Sequence, residues 1–355
     1  VAKIALITQT LSPQALGLAQ ALQFHRHDVT LITSYHESVP DNLGFPVLTY
    51  FKSWSVLEAL KFFPRILGQA PEIWHFVFSD RETDKPMAAQ WLLAQLARAL
   101  PRRVIAASFY ESLLHMSKFR MIPMLNCCDI VTTATRESLM YLKRRSWLPK
   151  FCETEVLPPF LHSESASNDV SLDQDLKQLL NTADPYLLVP SEKLGDLDWE
   201  QILGKVQILV CGRRPSGKTV PGVYYIGHSL SDFQFKEVLK NSIGLLTAFE
   251  DFSLIELLRF HRLCQETKTP VIANMRQTEA LPGYSVENRN GFVLNQISNL
   301  RQLISENPRL ELQSPHFETA RSELADSALN ELNRLYSKVQ HLKSSSIDFK
   351  RSPIS

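Results

Sequence analysis

IGLLTAFEDFSLIELLRFHRLCQETKTPVIAN, residues 243–274, is the stretch whose reading decides the fold. A short apolar run (Ile243, Leu245, Leu246) ends in Thr247-Ala248-Phe249. An acidic pair follows, Glu250-Asp251, then an amphipathic run from Ser253 to about Thr267, then Val271-Ile272-Ala273 just after Pro270. Strand, acidic loop, helix, strand is the repeating unit of a parallel α/β sheet. Ligands of such sheets sit at the carboxyl ends of strands, against helix N-termini. Glu250 occupies that place.

The same alternation extends in both directions. Lys3 to Thr8 reads as a first strand, Ser12-Pro13 as an N-cap with proline at the first helical position, and Val29 to Thr33 as a second strand. Strands follow at Phe45–Tyr50, Glu72–Val77, Arg103–Ala107, Asp129–Thr133 and Glu155–Leu157. Helices intervene at Ser55–Leu67, Pro86–Leu100, Phe119–Leu125 and Arg136–Arg144. A serine-rich polar segment then predicts an interdomain linker. The second set has strands at Tyr186–Val189, Val206–Cys211, Val223–Ile226, Ile243–Leu246, Val271–Ala273 and Phe292–Leu294, with helices at Trp199–Leu203, Asp232–Asn241 and Ser253–Glu266. A last amphipathic helix spans His316 to about Leu342, and the tail from Ser344 reads as frayed. The expected organisation is an N-terminal Rossmann-like domain (1–160), a linker (161–184), a C-terminal Rossmann-like domain (185–315), and a helix and tail (316–355) packing back towards the first domain.

Bulk properties narrow the class. The 355 residues carry 38 Lys and Arg against 37 Asp and Glu, a formal net charge of +1, which gives no support for nucleic-acid binding. The apolar fraction of 44% is that of a globular protein. Five cysteines without C-x-x-C spacing read as reduced thiols, and speak against a disulfide framework or a zinc site. No apolar run reaches the ~20 residues of a membrane helix, and VAKIALITQ has no signal-peptide anatomy. A cytoplasmic protein is expected, with peripheral membrane contact left open.

Five landmarks together resemble retaining glycosyltransferases of the GT-B fold, group 1 or family 4. They are KIALITQ with LAQALQFHRHDVTLIT; PEIWHF; CDIVTTATRESLMYL; VQILVCG with VYYIGHS; and IGLLTAFEDFSLIELL with TPVIAN and NGFVL. The resemblance covers Lys3 to about Val339. It implies two doubly wound domains facing a central cleft, and sugar transfer from a nucleotide-sugar to an acceptor whose identity is unknown. It also implies no metal and no cofactor, the nucleotide-sugar being substrate. The expected donor-side residues are Glu250, Asp251, Phe252, Ser253, Arg213, Arg214, Lys218 and Lys193. The expected acceptor-side residues are Ser12, His75, Ser108, Tyr110 and Glu111. No general base is named.

The departures are equally specific. The family signature has two glutamates separated by seven residues. With Glu250 as the first, the second position is Leu258; with Glu256 as the second, the first is Ala248. Pro190-Ser191 stands where the family has glycine-arginine, and Lys193 is out of register. Leu11 to Gln14 replaces the N-terminal glycine pair, and Ser108 stands where a histidine is common, with His115 seven residues on. A catalytically degenerate GT-B subunit acting as a binding or partner protein is therefore the alternative.

A second alternative comes from Gly212 to Thr219, a literal G-x-x-x-x-G-K-T after a strand, which taken alone suggests a P-loop nucleotide hydrolase. A P-loop needs a helix directly afterwards, and Val220-Pro221-Gly222 and another strand follow instead. Single residues also have bland readings. Glu250 suits a helix N-terminus as well as a ribose. His75, read as ending a strand, suits a satisfied structural histidine. Ser108, Tyr110 and Glu111 are read as loop residues after a strand. Arg136 and Lys143-Arg144-Arg145 read first as a solvated helix face, and second as a membrane-facing one.

Overall fold

The computed structural model describes residues 1–37, 39, 43–78, 88–110, 118–160, 186–190, 206–211, 221–226, 230, 232–249, 252, 254–275, 277, 291–294, 296–306, 310 and 319–351. The chain divides into two compact units, Val1–Ser163 with Ala325–Ser355, and Glu164–Leu324.

The first unit is built on a seven-stranded, all-parallel sheet. Its strands are β1 (Lys3–Ile7), β2 (Asp28–Ser34), β3 (Val47–Phe51), β4 (Ile73–Phe78), β5 (Val104–Phe109), β6 (Ile130–Thr133) and β7 (Glu153–Val156), in the order β3-β2-β1-β4-β5-β6-β7. β4 and β5 are buried along their whole length, which is why they read as unbroken apolar runs. Its helices are α1 (Pro13–Phe24), α2 (Val56–Gly68), α3 (Ala88–Arg98), α4 (Lys118–Leu125) and α5 (Arg136–Arg144).

Alternation along the strands sorts the two faces. Trp74, Phe76, Phe78, Ile105, Ala107, Phe109 and Val131 pack with Ala59, Ile66, Leu93, Met121 and Leu125 from the helices. The intervening residues His75, Ser108 and Thr132 belong to the opposite face, where Tyr336 of the C-terminal helix reaches His75.

The second unit carries a six-stranded parallel sheet: β8 (Tyr186–Val189), β9 (Gln207–Cys211), β10 (Val223–Ile226), β11 (Gly244–Leu246), β12 (Val271–Ala273) and β13 (Gly291–Val293), in the order β10-β9-β8-β11-β12-β13. Alternate residues feed two cores. Leu188, Leu209, Leu245 and Val271 pack on α6 (Asp232–Lys240) and α7 (Leu254–Thr267). Leu187, Ile208, Leu246 and Ile272 pack with Leu300 and Ile304 of α8 (Ile297–Glu306).

The last helix, α9 (Thr319–Arg351), ties its later part into the first unit. Leu332, Leu335, Tyr336 and Val339 are buried there, each apolar side chain contributing about 1.5–3 kcal/mol. Polar contacts fix the register. Asn333 Oδ1 meets His27 Nε2 at 2.9 Å, Lys338 pairs with Glu153 at 2.7 Å, and Lys343 pairs with Asp129 while donating to the Arg103 carbonyl at 2.6 Å.

Several sequence expectations need correction. Ser108 is the penultimate residue of β5 rather than a loop residue, and His75 lies inside β4 rather than at its end. The α9 helix runs through Ser344 to Arg351, where a frayed tail was expected. The Ser344 and Ser345 hydroxyls donate to the Gln340 and His341 carbonyls one turn back, at 2.9 and 2.6 Å. The α8 helix was not anticipated. The 161–184 linker and the Trp199–Leu203 helix lie outside the described residues. Among the described residues no helix is long and apolar enough to cross a membrane.

Candidate functional site

Strand order reverses between β1 and β4 in the first sheet and between β8 and β11 in the second. A reversal opens a crevice beyond the carboxyl ends of the two strands, because their connections leave in opposite directions. In the second sheet the strands at this point are followed in sequence by Lys193 and by Glu250. Both lie outside the described residues, as do Asp251, Ser253, Arg213, Arg214 and Lys218.

What the structure does describe is how the end of β11 is held. The buried Thr247 donates its amide to the Ile272 carbonyl at 2.8 Å, continuing the ladder one residue past the strand. Its carbonyl accepts from Gln277 Nε2 at 2.7 Å, and the Ala248 carbonyl accepts from Asn274 Nδ2. Asn274 and Gln277 also bond reciprocally. The Gln277 amide donates to Asn274 Oδ1 at 2.9 Å, and the Asn274 amide donates to Gln277 Oε1 at 3.2 Å. That is a capping box after β12, and its spare amide hydrogens are spent on the neighbouring strand end. The carbonyls of Thr247 and Ala248 are thereby held, fixing where the chain leaves towards Glu250. Sequence reasoning missed Gln277; the Asn-x-x-Gln spacing directly after a buried strand was the available signal.

Phe252 is the one expected donor-side residue that is described. Its ring stands edge-on to Phe260 at 5.2 Å, and Phe260 stacks on Phe235 at 5.6 Å. Phe252 thus packs on the apolar side of α7. On the same helix Leu258, eight positions after Glu250, is buried, whereas Glu256 is exposed.

In the first unit Ser12 caps α1, its Oγ accepting from the Ala15 amide at 3.2 Å, while the Leu11 amide donates to Glu37 Oε2 at 3.1 Å. His75, Ser108 and Tyr110 come together in one buried network. His75 Nε2 is 2.7 Å from Ser108 Oγ, and its Nδ1 meets the Tyr336 hydroxyl. Ser108 Oγ lies 2.6 Å from Thr132 Oγ1, and Tyr110 is hydrogen-bonded to Ser108. Burial pushes His75 down to about 3, so the ring is neutral at physiological pH, and burial raises both tyrosines. With both ring nitrogens engaged, His75 is a hydrogen-bond bridge between the sheet and α9. Thr132 and Tyr336 were not singled out in the sequence. Glu111 lies outside the described residues.

The P-loop alternative fails on spacing. Pro221 and Gly222 form a turn and β10 begins at Val223, which leaves no room after Thr219 for the helix a phosphate cradle requires.

Comparison with solved structures places this architecture in the GT-B fold of the glycosyltransferases. Sucrose-phosphate synthase from Thermosynechococcus elongatus superposes with a TM-score of 0.57 at 13% identity, covering 96% of this chain and 99% of that one. An alpha-glucosyltransferase in complex with UDP and a 13-mer DNA gives 0.54 at 11% identity, covering 95% and 100%. UDP-N-acetylglucosamine 2-epimerase from Rickettsia bellii gives 0.52 at 13% identity, covering 98% and 99%. No protein-family model and no curated protein sequence matches the chain.

Proposed function

We propose that the chain transfers a sugar from a nucleotide-sugar to an acceptor, with retention and without a bound metal, as a family-4-like cytoplasmic enzyme. The observation that carries this reading is the end of β11. A switch-point strand is pinned by the Asn274–Gln277 capping box and is followed in sequence by Glu250, the residue proposed to orient donor hydroxyls. The glycosyltransferases among the structural neighbours support sugar transfer as the reaction class.

On this reading the departing diphosphate is stabilised by cations and helix N-termini. Arg213, Arg214, Lys193 and Lys218 are the cations proposed for it. Ser12, Glu111 and the His75–Ser108–Tyr110 side belong to the acceptor domain, where the buried three act as positioning groups.

Calorimetry against a panel of nucleotide-sugars tests the reading. One member should bind in the micromolar range, and Glu250→Ala should weaken it about tenfold or more, the size of a lost charge-assisted hydrogen-bond set. Unchanged affinity in Glu250→Ala would remove the donor-site assignment. Product analysis separates transfer from epimerisation, since an epimerase shares the fold. The buried Leu258 favours a second reading, a GT-B subunit that binds a partner without turnover. That reading predicts no nucleotide-sugar binding and a copurifying partner.

A further inference from the structure

Beyond the crevice, the first unit carries a basic surface at the opposite end of its sheet. The α5 helix starts after β6, capped by Thr135 Oγ1 on the Ser138 amide at 3.1 Å, and leads to the amino end of the edge strand β7. Its last turn and the following loop therefore lie at the amino ends of the strands, away from the carboxyl ends where ligands of such sheets bind. Between 143 and 151 four cations, Lys143, Arg144, Arg145 and Lys150, are exposed, and that stretch holds no carboxylate. In a chain whose formal net charge is only +1 this is a local concentration. Among the described residues none of the four forms an ion pair. By contrast Lys338 and Lys343 on α9 are paired with Glu153 and Asp129.

Two apolar side chains stand among these charges. Phe151 is 94% exposed and Met140 40% exposed. The loop is held so as to present them. Ser146 ends the helix in the left-handed region at φ 53°, and its amide donates to the Lys143 carbonyl at 3.0 Å. Trp147 is buried edge-on to Tyr141 at 5.4 Å, and the Cys152 amide donates to the Pro149 carbonyl at 3.1 Å. That last bond closes a turn with Lys150 and Phe151 at its apex. The Arg145 guanidinium lies over Tyr141 at 5.5 Å and keeps its charge outward of the same anchor.

Cations alone would suit any polyanion. An aromatic ring at a tight apex between them selects a partner with an anionic layer over an apolar interior. We infer that the α5–β7 corner, with Phe151 at its tip and Lys143, Arg144, Arg145 and Lys150 around it, is a docking surface for an anionic lipid bilayer. The ring enters the interface while the cations meet lipid phosphates. Docking there leaves the carboxyl ends of the sheet uncovered. This inference stands independently of the proposed reaction.

Flotation of the full chain with vesicles tests it. Vesicles containing about 30 mol% phosphatidylglycerol in phosphatidylcholine should carry the protein, and pure phosphatidylcholine should not. Binding should vanish near ~0.5 M salt, where the screening length falls to a few ångströms. Phe151→Ser, and separately the triple change Lys143→Gln, Arg144→Gln, Arg145→Gln, should each lower partitioning about tenfold. All four positions are exposed, so melting temperature and nucleotide-sugar binding should stay at the wild-type level. Three results would each overturn the inference: no flotation of the intact chain with anionic vesicles, flotation of both variants at the wild-type level, or displacement from vesicles by trace amounts of duplex DNA.

Discussion

The two sheets reverse strand order in the same way, yet they are closed differently. In the first, α9 packs on the face opposite the main core, and a polar network there joins His75 with Ser108 and Tyr336, and Ser108 with Thr132. In the second, both faces are apolar cores, and the polar work is done at the end of β11, where Gln277 and Asn274 hold two backbone carbonyls. One network fastens a distant helix; the other aims the chain as it leaves β11. The difference teaches that buried polar residues in a single fold serve two ends, and that position along the strand tells them apart. Mid-strand groups staple layers, whereas groups past the strand end fix where the chain leaves the sheet.

The largest expected effect lies in the second sheet. A Cβ on Gly291 would sit 1.9 Å from the Val271 carbonyl oxygen, a backbone atom of the paired strand. Gly291→Ala should therefore destabilise by about 3 kcal/mol or more in urea unfolding, since strand pairing must yield. A loss under about 1 kcal/mol would show that β13 is dispensable to the sheet.

Acid should probe both units together. His75 and His261 are buried and held near 3 and near 4, below the ordinary 6.5. Both stay neutral when folded and take a proton when unfolded, so their contribution is whole above pH 6.5 and is lost as pH falls towards those values. The slope reaches about 1.4 kcal/mol per pH unit for each histidine. Unfolding free energies at pH 7 and pH 5 should differ accordingly, and His75→Gln should remove one histidine's share of the slope.

Next comes the stapling-versus-aiming contrast itself. Gln277→Ala should cost about 1–2 kcal/mol of stability and also weaken nucleotide-sugar binding about tenfold. Tyr336→Phe, which strands the same kind of buried partner, should cost similar stability and leave nucleotide-sugar affinity unchanged. Equal effects on affinity would erase the distinction. The smallest effect expected is at Ser12. Ser12→Ala removes the α1 cap and should lower stability by about 1 kcal/mol, read as a shift of a few degrees in melting temperature.

Much of the architecture was legible because buried parallel strands are short apolar runs separated by amphipathic ones, and both periods survive in a single sequence. Boundaries failed where a polar residue sits inside a buried strand. Ser108 looked like the end of an apolar run because nothing local reveals that His75 and Thr132 will satisfy it. The helical Ser344 and Ser345 looked like tail because their back-bonding to the preceding turn leaves no hydrophobic mark. The α8 pattern of Ile297, Leu300, Leu303 and Ile304 was readable and was overlooked.

The residue order by itself determined two sheets, their strands, and a carboxylate placed after a central strand, because those depend on local periodicity and on which residue follows which. Only the tertiary structure decided that His75 bridges to a tyrosine 261 positions away, that Gln277 reaches across to Thr247, and that Phe151 stands in the open beside cations that form no ion pair among the described residues. Such pairings join residues far apart in the chain, and the partners of a polar side chain are chosen by the packing of whole layers.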